Sequence, residues 1–247
     1  MKVSVVVPAY NEENYLGNCL DALMKQEEKP DEIIVVNNNS TDKTVDIAKK
    51  YDVRVVNETE QGMIQARNRG FNEAQHEIIA RTDADTMVPS DWIKKIKQHF
   101  INNDVVAVSG EATTYDLSNE LARQAAIQSQ KSYFILMRTA LGHDCLLGPN
   151  MAIRKSAWEK VKNTVCLNDN DVHEDIDLAI HIASVGEIKH DKTLIVNSSF
   201  RRFKKITSYF EYPYRTVKSV NIHKQRVMKE KSKAFVKKFV AKAFLNN

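Results

Sequence analysis

The feature that most constrains this chain is the alternation in its first 110 residues, where short apolar runs are each followed by a segment of helical periodicity. Lys2–Pro8 carries the run Val3-Ser4-Val5-Val6-Val7, which reads as a buried strand. Leu16, Leu20, Leu23 and Met24 then recur at helical spacing, with Asn11 placed to cap that helix. Glu32–Val36 is a second strand, and Ser40-Thr41-Asp42 a cap for a helix to Tyr51. Val53–Val56 follows as a strand, Gln61–Ala74 as a helix and Glu77–Thr82 as a fourth strand. Ser90 caps a helix through Phe100 whose apolar face is Trp92, Ile93, Ile96 and Phe100, and Val105–Ser109 is a fifth strand. Alternation with short connections predicts an α/β protein with a doubly wound, mainly parallel sheet and helices on both faces.

After Gly110 the rhythm breaks. Leu117–Leu141 reads as a long helix or helix pair with an apolar patch at Phe134–Met137, and Gly148–Arg154 as a strand. Ser156–Val161 is a short helix, Glu174–Val185 an amphipathic helix, Thr193–Asn197 a late strand, and Lys218–Phe244 a basic helix. The organisation expected is a half at 1–110, a second half of the same domain at 111–203, and a basic helical tail at 204–247. With 43% hydrophobic and 28% charged residues the chain has the composition of a soluble globular protein. Cys19, Cys145 and Cys166 form no CxxC pair, which argues against a disulfide frame or a zinc ribbon. No apolar stretch is long enough for a membrane span, and Pro8 with Asn11–Asn14 cuts off the N-terminal run, so cytoplasmic location is the default.

In parallel sheets of this kind ligands bind beyond the carboxyl ends of the strands. Strand one ends in Pro8-Ala9-Tyr10-Asn11-Glu12, strand two in Asn37-Asn38-Asn39-Ser40-Thr41-Asp42, and strand four in Asp83-Ala84-Asp85. All three are expected on one edge, forming one polar site. Asp83 and Asp85 are two carboxylates two residues apart, an arrangement that opposes the ionisation of both unless a cation lies near. A divalent ion with oxygen ligands, Mg²⁺ or Mn²⁺, satisfies that need and can bridge to a diphosphate.

The blocks VVVPAYNEE, IIVVNNNSTDKT, GMIQARNRGF, RTDADT, GPNMAIRKSAW and HEDIDLAIHI, in this order over residues 2–203, resemble the signature of family-2 glycosyltransferases. The resemblance implies a GT-A fold and inverting transfer from a nucleoside-diphosphate sugar. It implies that Pro8, Ala9, Tyr10 and Glu12 border the nucleoside, that Asn38 stands at a base-reading position often held by Asp, and that Arg67 lies near the phosphates. It places Asp83 near the ribose and makes Asp85 the metal ligand, with Asp83 beside it. Asn at position 38 both donates and accepts, which leaves uridine favoured without excluding guanosine or thymidine. In His173-Glu174-Asp175-Ile176-Asp177 the family's catalytic base falls on Asp175, with Glu174 second; acidic residues at a helix start also suit its positive end. Asp177 is read as a structural or acceptor-side contact. Asn150 is expected to bond sugar hydroxyls, or to serve a turn, and Arg201 with Arg202 to hold the departing diphosphate. His173 and His190 are candidates for extra metal or phosphate contacts, although the seven histidines show no HxxxH spacing.

Rival readings are a catalytically inactive sugar-nucleotide-binding or scaffold protein and a sugar-phosphate nucleotidyltransferase. The loop after strand one has no Gly and no Lys, unlike the latter. From Lys204 onward there are 12 Lys/Arg against 2 Asp/Glu, leaving 24 against 30 elsewhere, so a basic tail follows an acidic body. The tail lacks a nucleic-acid-binding signature. Its aromatics Tyr209, Phe210, Tyr212 and Tyr214, with an apolar stripe through Val227, Phe235, Phe239 and Phe244, suit an anionic membrane surface, or packing on the body or on a second copy in a homodimer. A peripheral position at the inner membrane face would fit a carbohydrate or lipid-linked acceptor in cell-envelope polysaccharide or glycolipid synthesis.

Overall fold

The computed structural model describes residues 1–168, 172–201 and 214–223. Its elements are β1 (Val3–Ala9), α1 (Leu16–Met24), β2 (Glu32–Asn37), α2 (Thr44–Ala48), β3 (Arg54–Asn57), α3 (Met63–Glu73), β4 (Ile78–Arg81), β5 (Thr86–Met87) and α4 (Trp92–His99). They continue with β6 (Val105–Thr114), α5 (Glu120–Leu141), β7 (Met151–Arg154), α6 (Lys155–Val161), α7 (Glu174–Ala183) and β8 (Glu187–Ser198). Residues 214–223 are helical. Arg202, Tyr209, Phe210, Tyr212 and the stripe beyond residue 223 lie outside the described residues.

The strands form one sheet in the order β3-β2-β1-β4-β7-β6-β8-β5. β3, β2, β1 and β4 are parallel, β7 runs antiparallel between β4 and β6, and β6 pairs parallel with β8. The register places Ala9 beside Asn37, so the loops after β1 and β2 leave the same edge.

Period-two alternation explains why the strand runs are apolar throughout. Val3, Val5 and Val7 pack with Leu16, Leu20, Trp92 and Ile96 on one face, whereas Val6, Ile34 and Val36 pack with Phe71, Trp158 and Ile176 on the other. Each such side chain, taken out of water, contributes about 1.5–3 kcal/mol.

Several local expectations are corrected. Asn11 does not cap α1; it sits at φ 55 and its Oδ1 accepts from the Thr41 N–H at 2.8 Å. Ser90 does not cap α4; its hydroxyl donates to Glu27. The second helix is shorter than read, and Asp42 accepts from the Thr44 N–H at 2.9 Å. Gly110 is not the end of a strand: β6 runs through it to Thr114, and a Cβ at Gly110 would lie 2.2 Å from Asn150 Nδ2. Of the Phe134–Met137 patch, Phe134 and Met137 are buried while Ile135 and Leu136 face outward. No helix of the described residues is long and apolar enough to cross a membrane.

Candidate active site

Three chain segments meet beyond the carboxyl ends of β1, β2 and β4. The loops after β1 and β2 interlock: the Glu12 N–H donates to Thr44 Oγ1 at 2.7 Å and the Glu13 N–H to Asp42 at 3.0 Å. Ala9 is buried at the end of β1, its carbonyl accepting from the Asn38 N–H, and Pro8 is half-buried beside it. The Tyr10 side chain next along is open to solvent. Asp83 and Asp85 follow β4 at once, separated by the buried Ala84.

Arg81, the last residue of β4, organises the centre. It is a charged group ending a fully buried strand, 1% exposed, and its Nη2 lies 3.2 Å from Asp83 Oδ1 and 2.7 Å from Glu174 Oε1. Its Nη1 is 3.6 Å from Asp175 Oδ1. One guanidinium therefore ties the DxD loop to the start of α7. Arg67, on α3, supports Glu174 from the other side, donating to its backbone carbonyl at 2.9 Å and reaching its carboxylate at 3.4 Å.

This arrangement separates the two carboxylates of the ED pair. Burial opposes the charge of Glu174, but Arg81 and then Arg67 outweigh it and hold the carboxyl below its ordinary range. Asp175 has the opposite fate. Burial first, and the adjacent Glu174 charge second, raise it to about 7, against the pull of Arg81 and the Gly148 N–H. Gly148 donates to Asp175 Oδ2 at 2.9 Å, while Oδ1 has no hydrogen bond. A Cβ at Gly148 would stand 3.0 Å from Arg81 Nη2 and 3.1 Å from Asp175 Oδ1, so only glycine leaves this contact unstrained.

Arg201 closes the other flank. Its Nε donates to Asp85 Oδ2 at 2.9 Å, its Nη2 bonds Glu12 Oε1, and its guanidinium lies 4.3 Å from the Tyr15 ring centroid. Asp116 fixes the approach, accepting from Thr114 Oγ1, Ser199 Oγ and the Phe200 N–H.

Three residues expected at ligands bond to protein groups through their side chains. Arg67 is fully buried and bonds to Glu174 and Asn68. Asn150 is also fully buried: its Oδ1 accepts from Trp92 Nε1 at 2.8 Å and its Nδ2 donates to the Glu111 and Leu194 carbonyls, which uses its amide in tying β6, β7 and β8 together. Asn38 Nδ2 donates to the Glu58 carbonyl at 3.2 Å and the Glu60 carbonyl at 2.7 Å, and its Oδ1 accepts from the Gly62 N–H at 2.8 Å. That pattern needs an amide, since a carboxylate has no hydrogens for the two carbonyls. His190 stacks on Phe134 at 4.1 Å and serves packing, and the His173 N–H is held by Ser219 Oγ at 2.6 Å. Arg81, Asp116 and Tyr15 were missed; a lone arginine ending Ile78-Ile79-Ala80 was the available signal for the first.

Comparison with known proteins supports the same description. The profile of Glycosyl transferase family 2 matches residues 4–162. Glycosyltransferase GlyA of Streptococcus pneumoniae serotype 4 is 34% identical over 105 residues, which is 40% of this chain and 15% of that protein. The chain spans less than half the length of the first curated relatives it matches. Among solved structures, S. aureus TarS in complex with UDP-GlcNAc is similar at a TM-score of 0.60 and 19% identity, over 81% of this chain and 58% of that one. Mannosyltransferase PcManGT from Pyrobaculum calidifontis, in complex with GDP-Man and Mn²⁺, gives 0.63 and 22%, over 80% and 56%. At these identities the likeness is one of fold, the GT-A sheet.

Proposed function

Because this chain belongs to glycosyl transferase family 2, we propose that it moves a sugar from a nucleoside-diphosphate donor, with UDP favoured, to an acceptor hydroxyl, with inversion. The observation that carries this reading is the bridge made by Arg81, which links Asp175 to Asp83 of the loop after β4. A donor diphosphate at Asp85 and an acceptor at Asp175 would then flank one anomeric carbon. The acceptor oxygen forms its bond to that carbon as the bond to the diphosphate breaks, and the hydroxyl proton passes to Asp175 Oδ1. Glu174, held ionised between two arginines, does not take that proton; it fixes the geometry.

The residues present fit a divalent ion. Asp85, Asp83 and Glu12 offer only carboxylate oxygens, a hard donor set suited to Mg²⁺ or Mn²⁺. Asp85, with Asp83 beside it, would hold the ion, which supplies charge neutralisation for the departing diphosphate. Arg201 already balances Asp85, and its guanidinium is placed to turn from that carboxylate to the diphosphate. Pro8, Ala9 and the open ring of Tyr10 would border the nucleoside. The acceptor is a carbohydrate or a lipid-linked hydroxyl, a reading supported by outward Ile135 and Leu136 on α5 and by the basic C-terminal sequence, which suit an anionic membrane surface.

Thermal denaturation with UDP, GDP and dTDP, each with and without Mn²⁺, tests the reading. A bound nucleotide at about 100 times its Kd stabilises the fold by about 2.7 kcal/mol. The expected result is a rise in Tm with UDP and Mn²⁺ together that Asp85→Ala abolishes. No rise with any nucleotide, with or without metal, would overturn it.

A further inference from the structure

Two residues beyond Asp175 on α7, Asp177 anchors a cluster that the proposed reaction does not use. Asp177 is fully buried, and its Oδ1 is 2.9 Å from His223 Nε2 and 3.7 Å from His181 Nε2. The three donor atoms all lie within 4.8 Å of one another. A tetrahedral ion with ligand bonds of about 2.0–2.1 Å needs neighbouring donors about 3.3 Å apart, which these positions meet with small shifts. The histidines come from two elements, α7 and the 214–223 helix, and their rings meet edge to face at 5.1 Å.

The surroundings orient the set. Thr164 Oγ1 donates its one proton to the Val161 carbonyl at 2.8 Å, so toward His181 Nδ1, 3.0 Å away, it can only accept. That bond puts the His181 proton on Nδ1. In the neutral ring it leaves the Nε2 lone pair facing the Asp177 carboxylate, an arrangement that a cation between them converts from repulsive to favourable. The other oxygen of Asp177 is fixed by the Cys166 N–H at 3.0 Å, which aims Oδ1 at the histidines.

We propose that Asp177, His181 and His223 form a second metal site, distinct from the DxD carboxylates, that takes a late divalent transition ion such as Zn²⁺. Two imidazoles and one carboxylate make a borderline donor set that favours Zn²⁺ over Mg²⁺. The partly open side of His181 lets a water complete the tetrahedron. The ion staples the 214–223 helix to α7, whose first turn carries Glu174 and Asp175, so it stabilises the base without touching substrate.

The test uses the full chain carrying Asp85→Ala, stripped with a chelator, so that the strand-end carboxylates do not contribute. Titration with Zn²⁺ by calorimetry, and with Co²⁺ by visible absorption, should show one equivalent bound with the spectrum of a tetrahedral ion and a rise in Tm. His181→Ala and His223→Ala should each abolish this. Thr164→Val, which leaves every ligand in place, should weaken Zn²⁺ binding by about 10–100-fold, the usual effect of losing an outer hydrogen-bond partner; it decides the matter even if a histidine variant fails to fold. No Zn²⁺ bound by the Asp85→Ala chain, or binding unchanged in Thr164→Val and His223→Ala, would overturn the site and leave the cluster an imidazolium–carboxylate pair.

Discussion

Arg81 Nη2 stands 2.7 Å from Glu174 Oε1, joining the last residue of β4 to the first residue of α7. Both groups are almost wholly buried, and Arg81 also pairs with Asp83 and Asp175. Removing one partner of a buried pair leaves the other charge without compensation, at a cost of about 3–5 kcal/mol. Arg81→Met should therefore lower the free energy of unfolding in urea by about that amount. A loss under about 1 kcal/mol would show that solvent, rather than Arg81, balances these carboxylates.

Asn38→Asp tests the account of the Asn run. The substitution leaves the Glu58 and Glu60 carbonyls facing oxygen lone pairs, and a buried polar group left unsatisfied costs about 1–3 kcal/mol. Destabilisation of that size, measured by urea unfolding, is expected, together with faster amide exchange in residues 58–62. A variant as stable as the parent would mean that the loop does not depend on the amide.

The strands, the helices and the strand-end site were legible in the sequence because burial on both sheet faces makes runs such as Val3–Val7 apolar throughout. The position of Asp83 and Asp85 just after β4 was legible because a short apolar run ends there, and that of Asp175 because it opens an amphipathic helix. The roles of Asn38, Asn150 and Arg67 were not. Each satisfies groups far away in sequence, and side-chain type alone does not say whether an amide or guanidinium faces ligand or backbone. The Asp177–His181–His223 cluster escaped for a related reason: a search for His pairs passes over an Asp four residues before a His, and the third member arrives from a later helix. β5, two residues long, carries no periodicity to read.

Asp175 makes stability depend on pH in a defined direction. Its carboxyl titrates near 7 in the folded protein against an ordinary 3.8. Between these values the unfolded chain has released this proton while the folded chain keeps it, so stability falls as pH rises and the penalty is constant above about 7. Asp175→Asn removes the penalty and still accepts from the Gly148 N–H. Its Tm relative to the parent should be near zero at the acid end of this window, become positive as pH rises, and level off above neutrality. A difference that does not vary with pH would show that the carboxyl is not raised.

If Asp175 takes the acceptor's proton while the donor is held elsewhere, Asp175→Asn should separate turnover from donor affinity, both measured on one preparation. Turnover is followed as release of nucleoside diphosphate from the sugar nucleotide, with a sugar or water as acceptor, and affinity by calorimetry with Mn²⁺. The expected result is turnover lower by roughly 10²–10⁴, the usual contribution of general base catalysis, with donor affinity within a few-fold of the parent. Turnover at the parent's level would contradict the assignment, and a collapse of donor affinity with turnover at saturation unchanged would make Asp175 a donor-binding residue instead.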